Sequence, residues 1–205
     1  VAAIYDRYKL IDINDISKLK DFLAKMESFF HGSSSGLDPL QCYIGKPFIL
    51  SQREESQSQQ PTAKVLNDDF ISDDIHIFLI DTKIKSPTAP LVVYFKERRK
   101  DKDYLNKFDN EYVPLVSKCI DTLINKVDDD FFSYLSSLSR LQLELLSHTI
   151  PDHFKDYFLK NINEDAFQVK LCGAGGGGYL LGFCKNVEEN NNLWNNFGCK
   201  IVWVR

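Results

Sequence analysis

The order of the predicted elements indicates an α+β fold for this chain of 205 residues. Its second half reads as one strand, several helices, two strands, a helix and a last strand. Five of the ten glycines lie within residues 173–178. This stretch separates two apolar runs, residues 167–172 and 179–184, which lack proline and are typical of strands. Because glycine loses the most backbone entropy on folding, the cluster indicates positive φ angles or close backbone approach, as in a loop beside a polyphosphate.

The composition is that of a globular protein with a core: 43% of the residues are hydrophobic and 26% are charged. The net charge of −4 disfavours non-specific nucleic-acid binding, which requires a basic surface. The five cysteines are widely spaced and form no C-x-x-C motif, so we expect neither a disulfide framework nor a zinc site. We therefore expect a cytoplasmic protein, and no apolar run is long enough to cross a membrane.

Helical patterns dominate the first part of the chain. The first eight residues read as the middle of a helix, with no initiator Met and no N-cap, so we expect a fragment whose beginning is missing. Asn14 or Asp15 can cap a second helix, whose apolar residues recur at helical spacing up to Phe30. A serine-rich turn follows, and then a short helix over residues 37–44 with Pro39 in its first turn.

The remaining elements follow from local patterns. Residues 46–51 are a predicted strand, and the polar stretch 52–63 is a predicted exposed loop. The other predicted strands are 75–80, 167–172, 179–184 and 200–204. The other predicted helices are one opened by Ser86-Pro87-Thr88, three over residues 110–126, 129–149 and 151–161, and one over residues 188–197.

Two generic motifs occur, and we disfavour both. Residues 173–178 match G-x-G-x-x-G, the dinucleotide fingerprint, but that fingerprint requires a helix directly after it, whereas a strand-like run follows here. Residues 32–36 match G-x-S-x-G, the nucleophile elbow of hydrolases, but the elbow must follow a strand, whereas an amphipathic helix precedes it here. Nothing positions His148 or His153 as the base that such a hydrolase would need.

Two carboxylates flank the serine-rich turn. Glu27 lies one helical turn before it, and Asp38 lies just after it at the start of the short helix. One interpretation is structural, with Glu27 as a solvated helix residue and Asp38 as a cap. The other is catalytic, with one carboxylate holding a cation and the other accepting a proton from a hydroxyl.

Two segments resemble the GHMP kinase superfamily of galactokinases, homoserine kinases, mevalonate kinases and phosphomevalonate kinases. Residues 27–38 read E-x-x-x-H-G-S-S-S-G-L-D, and residues 170–178 read K-L-C-G-A-G-G-G-G. They match, in order, the H-G-x-P-S-G-x-D and K-x-x-G-A-G-G-G-G segments of mevalonate kinases. Residues 83–92 and 2–6 resemble two further segments of that family. Ser34 and Pro39 depart from its pattern, which leaves the substrate open.

The resemblance implies a fold and a domain division. Residues 1–72 would be the last part of the N-terminal substrate and nucleotide domain, which is similar to ribosomal protein S5. Residues 73–205 would be the ferredoxin-like C-terminal domain. The family's P-x-x-x-G-L-G-S-S-A loop, which wraps the ATP phosphates, is absent from this sequence. We therefore expect the fragment alone to be inactive.

The resemblance also implies an activity, phosphorylation of a small-molecule alcohol by ATP, with mevalonate as the first candidate. Asp38 would accept the proton of the alcohol, and Glu27 would bind Mg²⁺. The cofactor-binding residues would be those of the glycine loop, Gly173, Ala174, Gly175, Gly176, Gly177 and Gly178. The substrate-binding residues would be His31, Ser34, Ser35 and Thr88.

Three other functions stay open at this point. A sugar kinase of the same superfamily would use the same residues on another alcohol. A decarboxylase of diphosphomevalonate would use a similarly placed aspartate and release CO₂. A non-catalytic binding module would keep the fold and lose the reaction. The expected partners are the small-molecule substrate and ATP, without nucleic acid or membrane, and a homodimer is left open.

Overall fold

The computed structural model describes the chain except residues 9–14, 33, 51–62, 87, 162–166, 188–198 and 205, and it describes residues 31, 160 and 161 by their backbone alone. The chain divides into two compact units, Val1–Phe70 and Ile71–Arg205. Within the described ranges, no helix is both long and apolar enough to cross a membrane.

The first unit contains helices and a small antiparallel sheet: α1 (Ala2–Tyr8), α2 (Ile16–His31), α3 (Leu37–Ile44), β1 (Phe48–Leu50) and β2 (Ala63–Val65). The predicted second and third helices are confirmed. Asp15 is the N-cap of α2, because its carboxylate accepts from the backbone N–H groups of Ser17 and Lys18 at 2.9 and 3.2 Å. The core of this unit is formed by Tyr5, Leu19, Leu23 and Leu40.

The sequence prediction missed β2, whose three residues come directly after a polar stretch and carry no strand signal of their own. Strand β2 exists because Ala63–Val65 pairs with Phe48–Leu50 of β1. Most of the predicted loop over 52–63 lies outside the described residues, although Ala63 belongs to this strand.

The second unit is built on a four-stranded antiparallel sheet in the order β4-β5-β3-β6. The strands are β3 (His76–Asp81), β4 (Phe167–Leu171), β5 (Tyr179–Cys184) and β6 (Lys200–Trp203). All four strands were predicted within one or two residues. Strands β4 and β5 form a hairpin whose connection is the glycine loop, so the register of this hairpin holds the loop at one end of the sheet.

Helices follow β3 and cover the sheet: α4 (Thr88–Arg98), α5 (Lys102–Lys107), a π-helix (Phe108–Tyr112), α6 (Val113–Ile124), α7 (Asp128–Leu145), a 3₁₀ turn (Ser147–Thr149) and α8 (Asp152–Asn161). The prediction missed α5, which is six residues long and mostly polar. A signal was present, because Asp101 caps α5 by accepting from the N–H groups of Asp103 and Tyr104. The helix predicted over 188–197 lies outside the described residues.

Aromatic side chains fill the space between the sheet and the helices α7 and α8. The fully buried members of this core include Phe78, Phe154, Phe158, Phe167 and Val169. Buried polar side chains on α7 add hydrogen bonds to β4. The Ser139 hydroxyl, which is fully buried, donates to Val169 O at 2.5 Å. Helix α7 therefore fixes the strand that leads into the glycine loop.

Gln142 on α7 connects three elements. Its Oε1 accepts from the backbone N–H of Leu171 at 2.8 Å, and its Nε2 donates to the hydroxyl of Tyr112 at 3.0 Å. The side chain is 2% exposed, so water does not replace either bond. Gln142 therefore joins α7 to the end of β4 and to the π-helix.

We predict that Gln142→Leu destabilises the protein by about 1–3 kcal/mol, because it leaves the Leu171 N–H without its acceptor in a buried position. Urea unfolding followed by circular dichroism measures the change. The control is Glu144→Gln on the same helix, which removes an exposed ion pair with Lys107 and should change the stability much less. Equal effects of the two substitutions would contradict the role given to Gln142.

The side chain of Lys170 on β4 is partly buried. Its Nζ donates to the backbone oxygen of Leu171 at 2.5 Å, and burial lowers its pKa, against the opposing effect of the neighbouring Cys172 and Cys119. Burial raises the pKa of Cys119 to about 12, so this neighbour supplies no thiolate at neutral pH. The ammonium of Lys170 is therefore held at a cost in stability.

The lowered pKa of Lys170 predicts a rise of stability with pH. Between the folded pKa and the unfolded value of about 10.4, the unfolded chain binds more protons than the folded chain, so the free energy of unfolding increases as pH rises. Lys170→Met removes this increase. The difference in unfolding free energy between wild type and Lys170→Met, measured in urea from about pH 7 to pH 10, should rise with pH.

The matched control for this pH series is Lys107→Met. The hydrogen bond with Glu144 raises the pKa of Lys107, so its contribution is present at neutral pH and is lost only as pH rises through the raised value. Its difference from wild type should therefore not rise over the same range. A constant difference for Lys170→Met would show that its ammonium is not destabilised by burial.

Candidate functional site

A hydrogen-bonded turn links α2 to α3 in the first unit. The Ser34 hydroxyl donates to Oε2 of Glu27 and accepts from the backbone N–H of Gly36 at 2.9 Å. The Ser35 hydroxyl accepts from the N–H of Leu37 at 3.3 Å. Glu27 is therefore joined directly to the serine-rich turn, although seven residues separate it from Ser34.

Gly36 presses the start of α3 against α2. Its φ is +74°, and a Cβ there would lie 2.3 Å from Lys20 O and 2.9 Å from the Cβ of Ala24. No other residue fits this approach without moving a helix backbone. Gly36 therefore determines where the first turn of α3 stands relative to α2.

Asp38 lies in that first turn and is exposed to solvent, whereas Pro39 and Leu40 beside it are buried. The buried pair anchors α3 and leaves the carboxylate outside. The partial positive charge at a helix N-terminus stabilises an anion at this position. An exposed carboxylate on a fixed helix end is suited to accept a proton from a bound hydroxyl.

The structure thus brings together Glu27, Ser34 and Ser35 at the turn, with Asp38 on the next helical turn. His31 is the last residue of α2, and its side chain lies outside the described part. Thr88 is the first residue of α4 in the second unit and is exposed.

The residues at the turn offer oxygen ligands only. Among the described residues, no group of three or more His, Cys, Asp or Glu side chains could hold a metal ion. Mg²⁺ needs no such group, because it is commonly held by one or two carboxylates, waters and substrate phosphates. The half-buried carboxylate of Glu27, with its second oxygen beside the serine hydroxyl, is compatible with that kind of site.

The glycine loop in the second unit is held by the segment that follows β3. Thr82 donates to Gly178 O twice, from its backbone N–H at 2.9 Å and from its hydroxyl at 2.7 Å. The N–H of Gly178 donates to Ile84 O at 2.8 Å, and the Ser86 hydroxyl donates to Gly175 O at 2.5 Å. These bonds fasten one side of the loop.

The 3₁₀ turn after α7 holds the other side. The N–H of Gly176 donates to Thr149 O at 2.5 Å. A Cβ on Gly175 would lie 2.7 Å from the same oxygen, and a Cβ on Gly177 would lie 2.4 Å from Ile84 O. Two of the glycines are therefore required by contacts with the protein's own backbone, and not only by a ligand.

These contacts limit what the loop offers to an anion. The backbone N–H groups of Gly175, Gly176 and Gly178 already donate within the protein. The loop consequently lacks the row of free amides that an open phosphate cradle presents. Its geometry agrees with a rigid support for a neighbouring loop or ligand.

Thr82, Ser86 and Thr149 hold the loop, and no local sequence pattern predicts this role for any of them. Their partners lie far along the chain: 96 residues separate Thr82 from Gly178, and 89 separate Ser86 from Gly175. Such pairs leave no local pattern, so only the folded chain reveals them.

No family model and no curated protein sequence matches the chain. Solved structures do match. A phosphomevalonate kinase from Streptococcus pneumoniae, in complex with phosphomevalonate and AMPPNP, has 14% sequence identity and a TM-score of 0.71, over 98% of this chain and 65% of that one. A Lin0012 protein from Listeria innocua has 16% identity and a TM-score of 0.73, over 99% of this chain and 63% of that one.

Mevalonate kinase from L. major, in complex with R-mevalonate, is similar to a comparable extent: 14% identity and a TM-score of 0.69, over 98% of this chain and 60% of that chain. The chain thus spans 60–65% of the length of these structures. At such low identity the likeness concerns the fold. The chain has the fold that the phosphomevalonate and mevalonate kinase structures share, as its two motifs predicted.

Proposed function

We propose that the chain is part of a GHMP-type kinase that transfers the γ-phosphoryl group of ATP to the hydroxyl group of a small alcohol, with mevalonate as the first candidate. One observation carries the proposal. The exposed side chain of Asp38 lies in the first turn of α3, next to a turn that is hydrogen-bonded to Glu27. The fold around it is shared with phosphomevalonate and mevalonate kinases.

Asp38 is the proposed proton acceptor. The alcohol oxygen attacks the γ-phosphorus, the bond from that phosphorus to the ADP oxygen breaks, and the alcohol proton passes to the Asp38 carboxylate. Little covalent help is needed in such a transfer, because positioning and charge neutralisation dominate. Glu27 is the proposed ligand for Mg²⁺, which would neutralise phosphate charge when bound. Ser34, Ser35 and His31 are the proposed substrate contacts at the turn.

The glycine loop is the proposed support for the nucleotide. We place ATP contacts at residues 173–178 and a substrate contact at Thr88. The amides of three loop residues already donate within the protein, which supports a role in shaping the site over a role as the main phosphate cradle. In this proposal Thr82, Ser86 and Thr149 are positioning residues, because they hold the loop and not the ligand.

The proposal also includes a domain division, a location in the cell and the activity expected of the 205 residues alone. The strand order β4-β5-β3-β6, antiparallel throughout, supports a ferredoxin-like C-terminal domain over residues 73–205, after the last part of an N-terminal domain over residues 1–72. We propose a cytoplasmic kinase. We also propose that the 205 residues alone turn over ATP poorly, since their sequence lacks the P-x-x-x-G-L-G-S-S-A loop.

The decisive assay uses the protein as its gene encodes it, beside the 205-residue chain. Each is incubated with ATP, Mg²⁺ and, in turn, mevalonate, phosphomevalonate, diphosphomevalonate and a set of sugars, and the products are identified by mass spectrometry. Phosphorylated mevalonate supports the proposal. Phosphorylated sugar supports a kinase of the same superfamily, release of CO₂ identifies a decarboxylase, and ATP binding without any product identifies a binding module.

Asp38→Asn should lower kcat by about 10²–10⁴-fold, because the amide cannot accept the proton of the alcohol. The dissociation constant for ATP should stay within about twofold, since the variant keeps the size of the side chain. The control is Asp21→Asn on α2, which removes an exposed carboxylate paired with Lys20 and should leave kcat unchanged. If Asp38→Asn retains full activity, Asp38 is not the proton acceptor.

Gly177→Ala should lower kcat/KM for ATP by about 10²-fold, because the added Cβ collides with Ile84 O and shifts the loop. The control is Gly173→Ala, whose Cβ meets nothing within 4 Å although its φ is also positive. Because φ is +149° at Gly177 and +56° at Gly173, the loss at Gly177 includes the strain of its backbone as well as the collision. The same loss in both variants would show that the contact with Ile84 does not position the loop for the nucleotide.

A further inference from the structure

An apolar cavity of about 240 Å³ lies beside the start of the glycine loop in the second unit. Its walls come from α4, the π-helix, the 3₁₀ turn and the end of β4. The lining includes Leu91, Phe95, Tyr112 and Thr149, together with Gly173 and Ala174 of the loop. This volume lies between that of a cavity that admits benzene, about 150 Å³, and the roughly 300–1,000 Å³ of pockets for drug-sized ligands.

The lining excludes charged ligands. None of the residues around the cavity has an ionisable side chain of ordinary acidity or basicity; Tyr112 is the single titratable one, and burial raises its pKa. A phosphate or carboxylate placed there would lose its hydration without gaining a counter-charge. The cavity is therefore unsuited to ATP or to an anionic alcohol, although Gly173 and Ala174 of the proposed nucleotide loop form part of its lining.

Tyr112 supplies one polar contact. Gln142 Oε1 accepts from the N–H of Leu171, so the other end of its amide must donate, and it does so to the Tyr112 hydroxyl. That hydroxyl thus acts as an acceptor towards Gln142, and among the described residues no group accepts its own hydrogen. The Thr149 hydroxyl, by contrast, already donates to Leu146 O at 2.8 Å. The hydrogen left to donate is that of Tyr112.

Helix α4 gives a second reason to expect an occupant. Leu91 and Phe95 are one helical turn apart and both line the cavity, yet none of the helix's described side chains is buried. An apolar ligand in the cavity would bury the exposed surfaces of Leu91 and Phe95. It would also touch Gly173 and Ala174, and it would contact Thr149, whose backbone oxygen accepts from Gly176.

We propose that this cavity binds an uncharged, mostly hydrocarbon molecule of the size of one substituted ring, with a single acceptor oxygen that receives the Tyr112 hydrogen. Bound ligand fills the space between α4 and the glycine loop and restrains the loop. The proposal goes beyond the kinase activity, since binding is measured without ATP or an acceptor alcohol and does not depend on phosphoryl transfer.

Three probes of similar size test the proposal on the full chain: acetophenone, ethylbenzene and benzoate. Isothermal titration calorimetry should give acetophenone a Kd of about 1 mM or tighter. Ethylbenzene lacks the acceptor and should bind about 3–10-fold more weakly. Benzoate should not bind detectably. Amide hydrogen exchange at Gly176 should slow when acetophenone is bound.

Matched variants show where the probes bind. Tyr112→Phe should lower the affinity for acetophenone to that for ethylbenzene, and it should leave the affinity for ethylbenzene unchanged. Leu91→Trp fills the cavity from α4 and should abolish binding of both neutral probes, and Ala174→Leu fills it from the loop. Val93→Trp is the control, because Val93 is on the same helix, is 60% exposed and does not line the cavity.

The proposal is overturned if neither neutral probe binds, or if binding survives both cavity-filling variants. Circular dichroism establishes that each variant is folded, and if one of the two filling variants is not, the other decides. Tighter binding of benzoate than of acetophenone would also overturn it, because the lining then would not select uncharged molecules.

Discussion

The tightest constraint in the second unit is the contact of the glycine loop with two backbone oxygens, those of Thr149 and Ile84. Gly176 and Gly178 donate to these oxygens, and Gly175 and Gly177 lie so close to them that a Cβ would collide. The strands on both sides, the 3₁₀ turn after α7 and the segment after β3 must all be in place before the loop can adopt this form. The loop is therefore a product of the whole unit, and its rigidity comes from contacts within the protein.

A similar dependence holds at the turn in the first unit. The carboxylate of Asp38 owes its position to the packing of Gly36 against α2, to the burial of Leu40 and to the bond between Ser34 and Glu27. None of these contacts involves Asp38 itself. The proposed proton acceptor is thus exposed to solvent, whereas its neighbours are buried and fix its position. In this way a scaffold can position a reactive side chain without burying it.

The glycine loop has polar contacts on one side and an apolar cavity on the other. The segment after β3 presents hydroxyls and backbone groups to the loop, whereas the side towards α4 and the π-helix is apolar and free of charge. Gln142 lies behind that apolar side, where it orients Tyr112 and holds the end of β4. One buried amide therefore connects the hairpin that carries the loop with the wall of the cavity.

The amino-acid sequence by itself determined most of the helices and strands and the two motifs that pointed to the fold. Apolar periodicity and the Asp15 cap predicted α2, short proline-free apolar runs predicted the four strands of the second unit, and two motifs predicted the shared kinase fold. The short elements α5 and β2 were not predicted, because stretches of six and three residues show too little periodicity. The partners of the glycine loop and the cavity beside α4 were decided by tertiary structure alone. Their contacts join residues up to 96 positions apart, and no local propensity records which distant backbone atoms will meet.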